Sequence, residues 1–255
     1  MAGMDVTQAL AFTLGAALLG WLAGMLVNFL ADVLPAGGRP RRPACTQCGL
    51  PRAWLQLFLW PGACRQCGQP RTRRSWVTPL VLAAACAANL LHPMPGVPFA
   101  AALLTLTYFG VVWVIDQEHR LILHVTSLAG LLIGLAVGSL RQGIALTLYG
   151  GLAGLALLLA LYLLGIAFTR VMGRLRGTSI DGPAMGFGDV LLGLVIGLLV
   201  GWPDILRSLT FTVLAAGVFA VFYLLVLLLQ RRYHLGSAFP YAPFLILGAV
   251  YVLYL

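Results

Sequence analysis

Two carboxylates, Asp116 and Asp189, are the residues in this chain whose type and setting suit catalysis. Asp189 closes Gly186-Phe187-Gly188-Asp189 at the head of a long apolar run, Val190 to Val200. Asp116 lies in Ile115-Asp116-Gln117-Glu118-His119-Arg120, at the far end of another. A charged group at a membrane edge is costly and marks a functional site by default. Two carboxylates brought together can share a proton, leaving one acid and one base to activate a water against a peptide carbonyl. The spacing equally allows two separate interfacial charges, each solvated or paired with an arginine such as Arg120. Gly186 and Gly188 leave the backbone before Asp189 unhindered, so another chain could approach closely.

A second constellation is made of thiols. Cys45-Thr46-Gln47-Cys48 and Cys64-Arg65-Gln66-Cys67 stand fifteen residues apart, and each pair is followed by a glycine, Gly49 and Gly68. Two Cys-x-x-Cys knuckles at this spacing point to zinc, and four thiolates close a tetrahedral structural site with no position left for catalysis. Disulfides or a redox pair are the competing readings. Cys86 falls inside an apolar run and reads as a small buried hydrophobe.

These groups must be held by membrane helices. Of 255 residues 61% are hydrophobic and 9% charged, whereas soluble domains carry about 25% charged residues. The expected fold is an all-α polytopic membrane protein of about eight spans, near 8–33, 76–92, 97–115, 122–139, 144–169, 187–201, 205–229 and 239–255. The first span lacks a basic stretch before it and reads as retained rather than cleaved. The only sizeable polar insertion carries the cysteines. The chain therefore divides into a first helix (1–34), a four-cysteine zinc-knuckle loop (35–75) and a membrane core (76–255).

Net charge is +9, and all sixteen basic residues are arginine. Placing the first loop inside puts fourteen arginines in inside loops and only Arg141 and Arg207 outside. That asymmetry orients the protein, and it assigns the basic excess to topology and anionic lipid rather than to nucleic acid. Asp116 and Asp189 then share the cytoplasmic side, with Glu118 and Asp181 nearby. Glycines four residues apart (Gly130, Gly134, Gly138; Gly150, Gly154; Gly193, Gly197) mark faces for close helix packing. Trp60, Trp76 and Trp113 read as interface anchors.

With these residues on the page the chain resembles the bacterial type IV prepilin peptidases, membrane aspartic proteases of the Gly-x-Gly-Asp type. The likeness is collinear over most of the chain. Gly24-Met25-Leu26-Val27-Asn28 with Leu34-Pro35 is similar to the first-span signature, and the paired Cys loop follows. Ile115 to Ile122 resembles the first catalytic motif, Met185 to Val190 the second, and Phe239-Pro240-Tyr241-Ala242-Pro243-Phe244-Leu245 the closing motif with its two prolines, Pro240 and Pro243.

The resemblance implies a multi-pass enzyme of the bacterial inner membrane. It would cleave the short basic leaders of prepilins and pseudopilins at the cytoplasmic face, with Asp116 and Asp189 as the catalytic pair. Gly186, Phe187, Gly188, Glu118, Asp181, Pro240 and Pro243 would lie near the substrate. Zinc would sit on Cys45, Cys48, Cys64 and Cys67. Many members also methylate the new N-terminus with S-adenosylmethionine. The chain departs from the usual pattern at Leu123-His124 (commonly Pro-Asp), at Leu191 (commonly Lys), in Gly182 to Met185 (often with Glu) and at Pro79 (commonly Glu). Its Cys loop is also shorter, and this difference and Pro79 fall where methyl transfer is attributed. Two other readings remain: a homologue that binds pilin precursors without cutting them, and a proton-coupled transporter using membrane carboxylates.

Overall fold

The computed structural model describes residues 5–35, 43–45, 47–51, 57–176, 186–230 and 240–255. Among them there are eight helices and no strand: α1 (Val6–Val33), α2 (Arg74–Leu91), α3 (Phe99–His119), α4 (His124–Gln142), α5 (Ile144–Arg176), α6 (Phe187–Val200), α7 (Asp204–Leu229) and α8 (Ala242–Leu253). Helix is what lipid demands of such apolar runs, because backbone polar groups there find partners only within the segment. Six helices are long and apolar enough to cross a membrane, so this is a multi-pass membrane protein. The other two of the expected spans are short. α6 has 14 residues and α8 has 12, about 21 and 18 Å against a hydrocarbon core of about 30 Å. They are also enclosed by protein: ten residues of α6 and eight of α8 are buried.

Residue contacts group the chain into two units, one ending at His119 and the other beginning at Arg120. In the first unit α1 packs on α2 and α3. A methyl group on Gly20 would lie 2.8 Å from the Ala83 Cα, so the α1 and α2 backbones meet directly there. Pro79 lies inside α2 and has no N–H to give the Ser75 carbonyl one turn back. The fully buried Asn28 of α1 supplies that donor instead, with Nδ2 3.2 Å from the Ser75 oxygen. The segment around Leu57 to Trp60 folds onto α1. Trp21 donates Nε1–H to the Leu59 carbonyl at 2.9 Å, and the rings of Trp21, Trp60 and Trp76 form one aromatic cluster. Trp60 and Trp76 thus have a packing role besides the interface position expected for them.

In the second unit α6 is the central helix, packed by α4, α5, α7 and α8. Its neighbours approach across the glycines that the spacing singles out. A Cβ on Gly134 would stand 3.0 Å from the Leu198 Cβ, and one on Gly154 would meet the Gly193 carbonyl. At the opposite end from Asp189, Arg141 donates to the Val200 carbonyl at 3.1 Å and lies 3.9 Å from the Asp204 carboxylate. Arg207 also pairs with Asp204, at 3.1 Å. The two arginines outside the basic majority therefore share one carboxylate, which by sequence alone reads as an ordinary loop charge.

Candidate active site and metal centre

In the second unit Asp189 is placed by the start of α6. Gly186 caps the helix in an extended conformation (φ −73°, ψ 144°), and the Asp189 amide donates to its carbonyl at 3.2 Å. Asp189 is then the third helical residue and is 9% exposed. Gly188 is not open space: a Cβ there would lie 2.7 Å from the Ile122 Cβ. The tail of the first motif therefore packs directly on the second. Among the described residues Gly186 has room, since a Cβ would meet nothing nearer than an Asp189 carboxylate oxygen at 3.6 Å. Phe187 is exposed, with its ring edge-on to Tyr162 at 5.8 Å.

The closing motif lies beside this helix start. Pro243 is buried in the first turn of α8, which packs on α6, and Pro240 is half-buried before it. Between them stands Tyr241, half-buried and close enough for the Asp189 charge to act on its phenol. Sequence reasoning favours the flanking prolines and misses Tyr241. Its available signal is a hydroxyl-bearing ring between two residues that fix the backbone.

Asp116 belongs to the first unit. It lies in the last turn of α3 and is 5% exposed. Glu118, one residue short of the helix end, is paired with Arg74. Arg74 also pairs with Asp32 in the last turn of α1, and Arg71 reaches the other Asp32 oxygen at 3.4 Å. In the sequence Asp32 stands out only for its depth, and Arg74 has no evident partner. An acid ending one span beside an arginine opening the next is the signal that could have joined them. Asp181 lies outside the described residues, as do Met185 and Phe239 of the two motifs.

The four cysteines come together. Their sulfurs all lie within 4.8 Å of one another, with Cys45–Cys67 and Cys48–Cys64 each at 3.5 Å. All four are free thiols. A tetrahedron with Zn–S bonds of about 2.3 Å has S–S edges of about 3.8 Å, inside that range. Each knuckle is the same turn. Gly49 N–H donates to the Cys45 carbonyl and Cys45 N–H to Leu50; Gly68 and Cys64 repeat this with Cys64 and Gln69. Gly49 and Gly68 take φ of 70° and 69°, the left-handed region where a glycine costs least.

These turns aim amides at sulfur. The N–H groups of Cys67 and Gln66 hold the Cys64 thiol down to about 6. Those of Cys48 and Gln47 lower Cys45 likewise. At Cys67 the Gln69 amide also lowers, but lost solvation and the neighbouring thiols outweigh it and push Cys67 up to about 12. Four thiols around one point, hydrogen-bonded in two pairs and two of them shifted toward the thiolate, are a donor set that fits zinc.

A model of the type IV leader peptidase family matches residues 99–225, from the start of α3 through most of α7, a stretch that contains both Asp116 and Asp189. No curated protein and no solved structure matches the chain.

Proposed function

Residues 99–225 belong to the type IV leader peptidase family, and from that premise we propose that the chain is a membrane aspartic endopeptidase using Asp116 and Asp189 as its catalytic pair. The carrying observation is that the family segment holds two buried carboxylates, each within one turn of a helix end. The chain after Asp116 also supports the pairing. Ile122, the last residue of the first motif, packs against Gly188 of the second motif within the second unit. One ionised carboxylate takes the proton of the attacking water while the other, protonated, polarises the scissile carbonyl.

The substrates in this reading are prepilins or pseudopilins, cut at the cytoplasmic face of the bacterial inner membrane before their hydrophobic segment. The orientation rests on the arginine asymmetry. In this reading Glu118 and Asp181 attract the basic leader. Zinc on Cys45, Cys48, Cys64 and Cys67 folds the 35–75 loop, a region tied to S-adenosylmethionine-dependent methylation in the family, and residues 76–255 form the peptidase core. The deciding experiment incubates the purified protein with a prepilin-like peptide. Cleavage is expected, and Asp116→Asn or Asp189→Asn should abolish it while the protein remains folded and inserted. Cutting by either variant near the wild-type rate would sink the pair. A native protein that binds the peptide uncut would be a non-cleaving homologue. Transfer of labelled methyl from S-adenosylmethionine to the product tests the second activity.

A further inference from the structure

The first unit contains an ionic device that the metal site does not use and of which the peptidase reading uses only Glu118. Arg74 opens α2 and directs one guanidinium nitrogen to Asp32 and the other to Glu118. Arg71, whose side chain is only 4% exposed, takes the second Asp32 oxygen at 3.4 Å. Two arginines and two carboxylates thus join the end of α1, the arm after the second Cys knuckle, the start of α2 and the end of α3. A charge this buried is tolerated only when paired. The planar fork of an arginine suits such bridging, because its nitrogens meet two acceptors in fixed directions.

The end of α3 needs such a device. The last four carbonyls of a helix have no partner within it, and the macrodipole makes this end negative. Here the last turn also carries Asp116 and Glu118, two groups of the sign that this end disfavours. Immediately beyond it Arg120 adopts a φ of 52°, which a residue with a side chain adopts at some cost. The turn that holds Asp116 is therefore poorly supported by its own sequence.

We propose that Arg74 is a positioning residue for Asp116: anchored by Asp32, it neutralises Glu118 and keeps the last turn of α3 helical, fixing the direction of the Asp116 carboxylate. The inference rests on the catalytic role of Asp116, but its first readout does not. Amide hydrogen exchange on the full-length protein in nanodiscs reports the stability of the turn directly. Arg74→Met should raise exchange at 116–119 by about tenfold or more and leave α6 unchanged. In the peptide assay it should lower kcat by about tenfold with KM within about twofold. Arg74→Lys, which keeps the charge but not the fork, should recover part of both. Asp32→Asn removes the anchor of Arg74 while leaving the Glu118 charge in place, and should give a smaller rise.

Exchange at 116–119 that stays within about twofold of wild type in Arg74→Met overturns the proposal. So does a raised KM with kcat preserved, which would assign the cluster to leader binding. Should Arg74→Met fail to fold, unchanged exchange in Asp32→Asn overturns it equally. If the native protein cleaves nothing, the peptidase reading falls while the exchange result still decides the clamp.

Discussion

A Cβ on Gly188 would lie 2.7 Å from the Cβ of Ile122. The residue before Asp189 is therefore a glycine because the segment following the first motif occupies the space a side chain would need. This narrows the use expected of the two glycines, which the sequence suggests as room for a substrate backbone. Gly188 is filled by the protein itself, whereas Gly186 retains that room among the described residues.

The pair gives a contrast. Gly188→Ala should lower cleavage by about tenfold or more, because 2.7 Å is closer than two carbons approach and α6 must shift. Ile122→Ala should not rescue it, since alanine keeps the offending Cβ. Gly186→Ala should fold normally, its φ and ψ being ordinary for any residue. Thermal unfolding and peptide turnover of the three variants check this. Loss of turnover in a well-folded Gly186→Ala would assign that glycine to substrate approach.

Asn28 and Pro79 should be energetically coupled. Asn28→Leu leaves the Ser75 carbonyl without its side-chain donor and should cost about 1–3 kcal/mol. Pro79→Ala restores a backbone N–H, so Asn28→Leu should cost less in that background, with a coupling of about 1 kcal/mol. A double-mutant cycle on unfolding measures it. Additive effects would show that the Asn28 hydrogen bond does not replace the missing one.

Purified protein should contain one zinc per chain. Cys45→Ser with Cys48→Ser should release it, and a strong chelator should expose four thiols to a titrating reagent. Elemental analysis that finds no metal in the wild type refutes the site. Because Trp21 and Trp60 join the loop to α1, metal loss should also change tryptophan fluorescence.

Tyr241→Phe should keep the fold and lower kcat by about fivefold, because it removes a hydroxyl that lies near the Asp189 carboxylate. KM should hold. An unchanged kcat would make the phenol a bystander and leave the closing motif with only the backbone role of Pro240 and Pro243.

What could be read in the sequence was local. Apolar runs gave the helices, four-residue glycine spacing gave the packing faces of α4, α5 and α6, and Cys-x-x-Cys-Gly gave both knuckles down to the left-handed glycine. The misses depend on distant partners. A proline inside α2 announces an unpaired carbonyl, but nothing local says that Asn28, 47 residues from Ser75, will serve it. Arg74 is one basic residue among sixteen until the ends of α1 and α3 are brought to it. That protein encloses α6 and α8 escapes for another reason, because apolar runs do not reveal whether lipid or protein surrounds them.

The twin knuckles also bear on the order in which the protein is made. Their longest sulfur-to-sulfur link joins residues 22 apart, and every hydrogen bond that shapes them is local. A site of such low contact order closes early. Metal bound there once the loop has left the ribosome would fix the arm that carries Arg71 and Arg74 before the end of α3 packs against it. The bridge at the end of α3 is then assembled last, on a template already set, and failed metal loading would reach the enzyme as a defect of biogenesis.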